Sequence, residues 1–427
     1  MPVPNRFKGA GFCHAMLIRA LIALLAVTLG SSISPRSWMG DARVADSRFG
    51  DLSLWRMTLP GSHDTLSYDL SDELTELPSA PPAVGNIVRT FAVTQSLSIT
   101  DQLDAGIRFL DFRVMRSPDG GWYGTHTVRT RRPALDYLAE IARWLDASDG
   151  EYLVVFLSRH GAECLKGEDQ YPHVAIADKQ DFWAQFESAA RGHIMQARHI
   201  TSSLSSLRAT RRSGMFVLAS DHEEMTGNSS MALDACAWLN NTGGGGRPSR
   251  WQYSDDRLYM KDLLSPERSG KYYLRSMASA ASREEVLAHI ASESWVPTRW
   301  RSIADSDCAR AYGLPVPSGY CAPDLSSLGK FCNYYNRRVL IDYLNLGAHP
   351  NAFYVDMVTV DGGLQVSDAD EFDFYGLVMV MNINSVCTEG CSAELLRFAA
   401  ARKGNWTVAW PNSSELGLTS IPPELWA

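Results

Sequence analysis

The chain has 427 residues, of which 45% are apolar and 21% charged, and its formal net charge is −8 at pH 7. This is the composition of an ordinary globular protein with a substantial core, in one large domain or two small ones. The acidic balance argues against a nucleic-acid partner, because binding to a phosphate backbone depends on Lys and Arg residues that neutralise it.

Residues 1–32 have the layout of a secretory signal peptide. Basic residues at the start of this segment are followed by an apolar stretch at residues 21–29 and then by small residues. The apolar stretch is shorter than the roughly 20 residues that a bilayer span needs, which favours cleavage over a retained anchor. We therefore expect the protein to be secreted or to reside in the lumen of the secretory pathway.

In that compartment cysteines can be oxidised to disulfides and Asn residues in sequons can be glycosylated. Only Cys13 of the eight cysteines lies in the signal segment, and none of the other spacings makes a zinc site, so we expect disulfides among them. Four sequons are candidate glycosylation sites: Asn228, Asn240, Asn405 and Asn412.

From about residue 50, short apolar runs alternate with segments of helical period. The runs, taken as buried parallel strands, occupy residues 107–114, 152–157, 215–219, 352–360 and 377–383. Helices are predicted at residues 133–145 and 181–194. The alternation predicts an α/β fold, a distorted (β/α) TIM-type barrel forming a single catalytic domain over residues 45–392, followed by a C-terminal tail at 393–427. A doubly wound open sheet has the same local pattern.

The first candidate site lies at residues 60–64, which read Pro-Gly-Ser-His-Asp. We interpret them as a turn that carries an exposed histidine, His63, beside the carboxylate of Asp64. Imidazole titrates near neutrality, so a histidine held by an acid is a natural general base. A hydrogen-bonded turn with no catalytic role is the alternative.

A second candidate lies at the end of the run that contains Asp111 and Arg113. Side chains alternate along a strand, so these two share one face and Phe112 lies on the other. They form either a buried ion pair that closes a barrel layer or an arginine positioned to bind a phosphate. A Pro-Asp-Gly-Gly turn at residues 118–121 predicts a hairpin that brings His126 back beside Arg113.

In their order and spacing, residues 60–64, residues 102–113 and His126 resemble the X-domain family of phosphatidylinositol-specific phospholipase C. The resemblance is strong over residues 50 to about 160 and rests on the strand pattern elsewhere. It implies that His63 activates the inositol 2-hydroxyl to attack phosphorus and that His126 protonates the departing diacylglycerol oxygen. The products would be diacylglycerol and a cyclic inositol phosphate.

The resemblance extends to the bacterial-like branch of that family, which also includes enzymes that cleave glycosyl-phosphatidylinositol anchors. The calcium-dependent branch has acidic ligands where this chain has Arg113, and Glu where it has Arg159. Two guanidinium groups would repel calcium rather than coordinate it, so we expect no metal and no cofactor. His63, His126, Arg113, Asp64 and Asp111 are assigned as catalytic on this basis.

Arg159 and Asp356 are assigned to substrate binding. Arg159 ends a predicted strand, and Asp356 lies in an otherwise apolar run where a carboxylate is costly unless it is paired. Orienting His63 would provide that pairing for Asp356, and a purely structural hydrogen bond is the alternative.

The expected partner is phosphatidylinositol or a glycosylated form of it at a membrane surface, bound peripherally by a monomer. Two alternatives remain open. One is a catalytically silent barrel that binds a lipid headgroup or a protein. The other is a magnesium-dependent phosphodiesterase of the glycerophosphodiesterase or sphingomyelinase D type, which needs early acidic ligands. The long segment at residues 69–96 is either a lid that touches the membrane or a passive insertion.

Overall fold

The computed structural model describes residues 33–159, 174–241, 272–277, 347–365, 371–387 and 391–403, and also positions 333, 336, 337, 340, 341 and 343–345. The predicted signal peptide and most of the predicted tail lie outside these residues.

The strands follow one another along the chain from β1 near residue 60 to β13 near residue 372. They are β1 (Leu59–Ser62), β2 (Leu70–Leu74), β3 (Phe109–Arg116), β4 (Trp122–His126), β5 (Val128–Pro133), β6 (Tyr152–Arg159), β7 (Gly214–Ala219), β8 (Ala232–Asp234), β9 (Leu239–Asn241), β10 (Tyr272–Met277), β11 (Ala352–Val355), β12 (Leu364–Gln365) and β13 (Glu371–Phe372).

Helices lie between and around these strands. They are α1 (Trp38–Ala45), α2 (Ser47–Gly50), α3 (Pro82–Thr90), α4 (Ile99–Asp104), α5 (Ala134–Asp146), α6 (Ile176–Ala189), α7 (Leu204–Thr210), α8 (His222–Thr226), α9 (Ala235–Trp238), α10 (Phe374–Val386) and α11 (Ala393–Lys403), with short 3₁₀ turns at Pro35–Ser37, Ser67–Asp69 and Ala197–Thr201.

The main sheet is parallel, in the order β8-β7-β6-β3-β1-β11-β10-β9. Because the strands are parallel, all their carboxyl ends lie along one rim. The outer strands β8 and β9 are not paired with each other in the described part of the chain, so hydrogen bonds do not close the sheet there. The predicted strands at 107–114, 152–157 and 215–219 correspond to β3, β6 and β7.

Three of the predicted elements need correction. The strand expected at residues 352–360 ends at Val355, and the helix expected at 181–194 is α6, which begins at Ile176. The run at residues 377–383 is not a strand but part of α10. Every residue from Phe374 to Ile383 is buried, and a uniformly apolar run does not distinguish a buried helix from a buried strand.

An antiparallel ribbon extends the barrel on one side. Strand β3 continues past the parallel sheet and pairs with β4, β4 pairs with β5, and β5 pairs with β2. Helix α3 packs against this ribbon through a small apolar cluster that includes Leu70, Val88 and Val128. The segment at residues 69–96 is therefore folded onto the hairpin that carries His126.

The packed core extends on both sides of residues 45–392. Trp38 is fully buried, and its indole N–H donates to the Gly106 carbonyl oxygen at 3.0 Å. Phe398 of α11 is 9% exposed and belongs to the same core. A disulfide joins Cys387, just after α10, to Cys391, just before α11. Among the described helices, none has the length and apolarity needed to cross a membrane.

Candidate active site

The first motif lies where β1 reaches the carboxyl rim. The backbone N–H of His63 donates to the Val355 carbonyl oxygen at 2.9 Å, so this turn is tied to the end of β11. A Cβ on Gly61 would lie 2.8 Å from the Phe353 carbonyl oxygen, so only glycine permits this close approach of β1 and β11. The side chain of His63 faces inward and is 7% exposed, which corrects the expectation of an exposed histidine.

His63 is oriented by Asp356, which follows β11. The Asp356 Oδ1 oxygen lies 2.7 Å from His63 Nδ1. A carboxylate oxygen accepts, so Nδ1 carries the proton. Nε2, which lies 3.3 Å from Asp64 Oδ2, is the nitrogen available for proton transfer. Both side chains are almost completely buried, and burial strengthens this hydrogen bond.

Arg113 lies inside the barrel mouth between two carboxylates. Its Nη1 lies 2.7 Å from Asp64 Oδ1 and its Nη2 lies 2.8 Å from Asp111 Oδ2. Asp111 also accepts from the Asp64 backbone N–H at 3.1 Å. Phe112, between them in sequence, points the other way and packs edge-on against Phe186 of α6. The predicted alternation along β3 is therefore confirmed.

His126 returns to the same place through the predicted hairpin, which pairs Val114 with Gly124. Its Nδ1 lies 2.8 Å from the Ala92 carbonyl oxygen and 3.2 Å from Asp64 Oδ2. A carbonyl oxygen can only accept, so Nδ1 is the donor, and Nε2 is again the nitrogen available for proton transfer. The two histidine rings lie 6.3 Å apart, centroid to centroid.

The nearby carboxylates raise the pKa values of both His63 and Arg113. Burial by itself lowers the pKa of His63, but the Asp64 and Asp356 carboxylates outweigh burial and the opposing Arg113 charge, and the pKa is raised above its ordinary value. Burial also lowers the pKa of Arg113, and Asp111 and Asp64 more than offset that. The guanidinium therefore remains a fixed positive charge.

The cluster contains one set of potential metal ligands among the described residues. Ligand atoms of His63, Asp64 and Asp111 lie within 4.8 Å of one another. The Arg113 guanidinium already binds both carboxylates, which are the kind of oxygen ligand that a calcium ion would need six to eight of. An ion would have to displace the guanidinium, so the residues fit a fixed cation better than a bound metal.

Arg159 is the last residue of β6 and lies opposite Val114 of β3 in the register. Its backbone is therefore at the carboxyl rim, next to the strand that carries Arg113. Sequence reasoning did not identify Ala92, Thr94 and Gln95, which contact the two histidines from the end of the 69–96 segment. Their signal in the sequence is slight, since none of them has a titratable side chain.

The chain is similar in sequence to known proteins. Residues 81–170 match the family model described as PI-PLC X. A PI-PLC X domain-containing protein 1 from Danio rerio is 26% identical over 57% of this chain and 76% of its own length. The protein of the same name from Homo sapiens is 31% identical over 40% of this chain and 52% of its own length.

Solved structures show the same fold. Two structures of phosphatidylinositol-specific phospholipase C from Staphylococcus aureus have a TM-score of 0.51, at 12% and 13% identity. Each likeness covers 81% of this chain, and 96% and 98% of the bacterial chains. This confirms the predicted TIM-type barrel. The chain is thus similar to the PI-PLC X family over residues 81–170 and shares the fold of the bacterial structures over most of its length.

Proposed function

We propose that this chain is a metal-independent phospholipase that cleaves the phosphodiester of phosphatidylinositol or its glycosylated forms. The observation that carries the proposal is the convergence on Asp64. Its carboxylate contacts Arg113 and lies within 3.3 Å of a ring nitrogen of both His63 and His126. Two imidazoles and a guanidinium around one space are the groups that an in-line displacement at phosphorus needs.

In the proposed reaction, His63 Nε2 takes the proton of the inositol 2-hydroxyl as its oxygen bonds to phosphorus. The bond from phosphorus to the diacylglycerol oxygen breaks, and His126 Nε2 gives that oxygen a proton. The products are diacylglycerol and a cyclic inositol phosphate. His63 therefore begins neutral and ends protonated, while His126 begins protonated and ends neutral. Hydrolysis of the cyclic phosphate by water returns both histidines to their starting states.

The remaining residues support these steps. Arg113 offsets the negative charge that develops on the phosphoryl oxygens, and Asp64 and Asp111 hold it in position. Asp356 was expected to bind substrate, but its contact with His63 supports a positioning role instead. Arg159 remains proposed as a further phosphate or headgroup contact at the rim.

We also propose that the protein acts as a monomer on membranes reached through the secretory pathway. Asn228 lies in an exposed turn after α8, as a glycosylated residue must. Among the sequons, Asn405 and Asn412 lie outside the described residues, as does the signal segment.

The test uses the purified chain on vesicles that contain phosphatidylinositol and, separately, on a protein carrying a glycosyl-phosphatidylinositol anchor. Release of a cyclic inositol phosphate supports the proposal, and the preferred substrate identifies the lipid class. Binding of the vesicles without turnover would support the silent barrel. Turnover that requires magnesium would support the metal-dependent phosphodiesterase.

A further inference from the structure

Residues Ala92 to Gln95, near the end of the 69–96 segment, contact both histidines. Ala92 accepts from His126 Nδ1 at 2.8 Å. The Thr94 hydroxyl donates to the carbonyl oxygen of His63 at 3.0 Å. The segment that leads into this stretch is packed on the ribbon, so its end is held against the barrel.

Gln95 makes the most connections in this stretch. Its Nε2 donates to the His63 carbonyl oxygen at 2.9 Å and to the Val355 carbonyl oxygen at 2.7 Å. Its Oε1 accepts from the Val358 N–H at 3.3 Å. The side chain is 0% exposed. Both amide hydrogens and the amide oxygen are therefore used, and all three bonds go to backbone.

These bonds join the two chain segments that carry His63 and Asp356. Val355 and Val358 flank Asp356, and the third bond is to His63 itself. We propose that Gln95 is a positioning residue, whose amide sets the backbone separation on which the contact between His63 Nδ1 and Asp356 Oδ1 depends. The inference rests on the proposed function for its effect on turnover, but not for its effect on the histidine.

Burial of polar groups alone does not explain the amide. The His63 carbonyl oxygen also accepts from Thr94, and the Val355 carbonyl oxygen also accepts from the His63 N–H. Neither oxygen is left without a donor if Gln95 is replaced by Met. The buried Val358 N–H does lose the acceptor that the amide gave it, which lowers the free energy of unfolding. What the replacement removes is the side-chain bridge of Gln95, while the direct bond from the His63 N–H to the Val355 carbonyl oxygen and the pairing of β1 with β11 stay in place.

Gln102 offers a matched control on α4. It is also 0% exposed, and its Nε2 donates to two backbone carbonyl oxygens, those of Thr65 at 2.9 Å and Leu97 at 2.8 Å. Thr65 follows His63 by two positions, but neither acceptor is His63 itself and neither lies in the segment that carries Asp356. Gln102→Met therefore removes the same chemistry from the same neighbourhood without touching the bridge.

The experiment compares Gln95→Met and Gln102→Met in the full chain. The first measurement is the NMR resonance of the His63 Nδ1 proton, which reports its hydrogen bond to Asp356 without any substrate. We expect Gln95→Met to move this resonance upfield and Gln102→Met to leave it in place. The second measurement is turnover, where kcat should fall by tenfold or more in Gln95→Met, with KM within about twofold, because small displacements of reacting groups cost on the order of 10²-fold.

The two measurements separate the possible failures. An unmoved resonance in folded Gln95→Met, or an equal shift in Gln102→Met, overturns the positioning role. If the resonance shifts but the unmodified chain cleaves no lipid, the positioning role is retained and the proposed function fails. If Gln95→Met does not fold, Gln95→Asn is measured instead. Its amide is neutral but one carbon shorter, so it cannot keep all three bonds, and the same direction of shift is expected.

Discussion

The guanidinium of Arg113 lies 2.7 Å from the carboxylate of Asp64, and that carboxylate also lies within 3.3 Å of both candidate acid-base histidines. The Asp64 carboxylate therefore contacts the two histidines that would transfer protons and also the arginine that would stabilise the negative charge of the phosphoryl group. Loss of any member should change the electrostatic environment of the others, so their effects on rate should not be additive.

Replacing either histidine should abolish most turnover. Proton transfer typically contributes about 10²- to 10⁴-fold, so we expect losses of that order in both His63→Ala and His126→Ala on phosphatidylinositol vesicles. His193→Ala is the control, since His193 is also buried but pairs with Asp146 outside the site. A folded His63→Ala chain with near-normal turnover would remove His63 from the mechanism.

Turnover should rise with pH through the ionisation of His63. The base must be neutral to accept a proton, and Asp64 and Asp356 hold its pKa above the ordinary value of about 6.5, against burial and Arg113. The profile of kcat/KM against pH should therefore have its acidic limb above that value. An acidic limb well below it would contradict the assignment of His63 as base.

Asp356→Asn should slow the reaction and should also shift the acidic limb of the pH profile of kcat/KM to lower pH. An amide does not hold the Nδ1 proton as a carboxylate does, so the rate should fall by about 10²- to 10⁴-fold. The pKa of His63 should also fall, since one of the carboxylates that raise it is gone. Asp146→Asn is the matched control, because Asp146 contacts His193 at 2.8 Å away from the site. Equal effects in both variants would show that the loss reflects folding.

The opposite end of the barrel supplies a test of stability. Arg108, just before β3, is fully buried and pairs with Glu151, just before β6, at 2.7 Å. Arg108→Met would leave the Glu151 carboxyl buried without its cation, so the free energy of unfolding in urea should fall by about 3–5 kcal/mol. Arg208→Met, which removes an exposed partner of Asp149, should change it little. Equal stability of the two variants would contradict this account.

The sequence predicted the motif-bearing part of the site well because local patterns determine it. Alternation along β3 placed Asp111 with Arg113, and the turn at residues 118–121 returned His126. The strand predicted at 377–383 was wrong because residues 374–383 of α10 are all buried and show no helical period. Gln95 could not be identified, since its acceptors at His63 and Val355 are distant in sequence and are backbone groups that no side-chain pattern marks.

Arg113 should be essential for turnover, and an acidic residue at its position should not support turnover in the absence of a metal ion. Arg113→Ala removes the charge that offsets the phosphoryl oxygens, and comparable losses are about 10²- to 10³-fold. Arg113→Asp should be at least as impaired, because it also sets a third carboxylate beside Asp64 and Asp111. A small gain of activity in that variant on addition of calcium would show that the ion can take the guanidinium's place. Equal turnover in the unmodified chain and Arg113→Ala would contradict the role of Arg113.

The Arg113 guanidinium, rather than a metal ion, is proposed to offset the negative charge that develops on the phosphoryl oxygens. This role is tested most directly by the initial rate of the unmodified chain on phosphatidylinositol vesicles, first with calcium and then with excess chelator. The account predicts the same rate in both conditions. Loss of activity with chelator and its return with calcium would contradict it, and Asp64 and Asp111 would then be metal ligands.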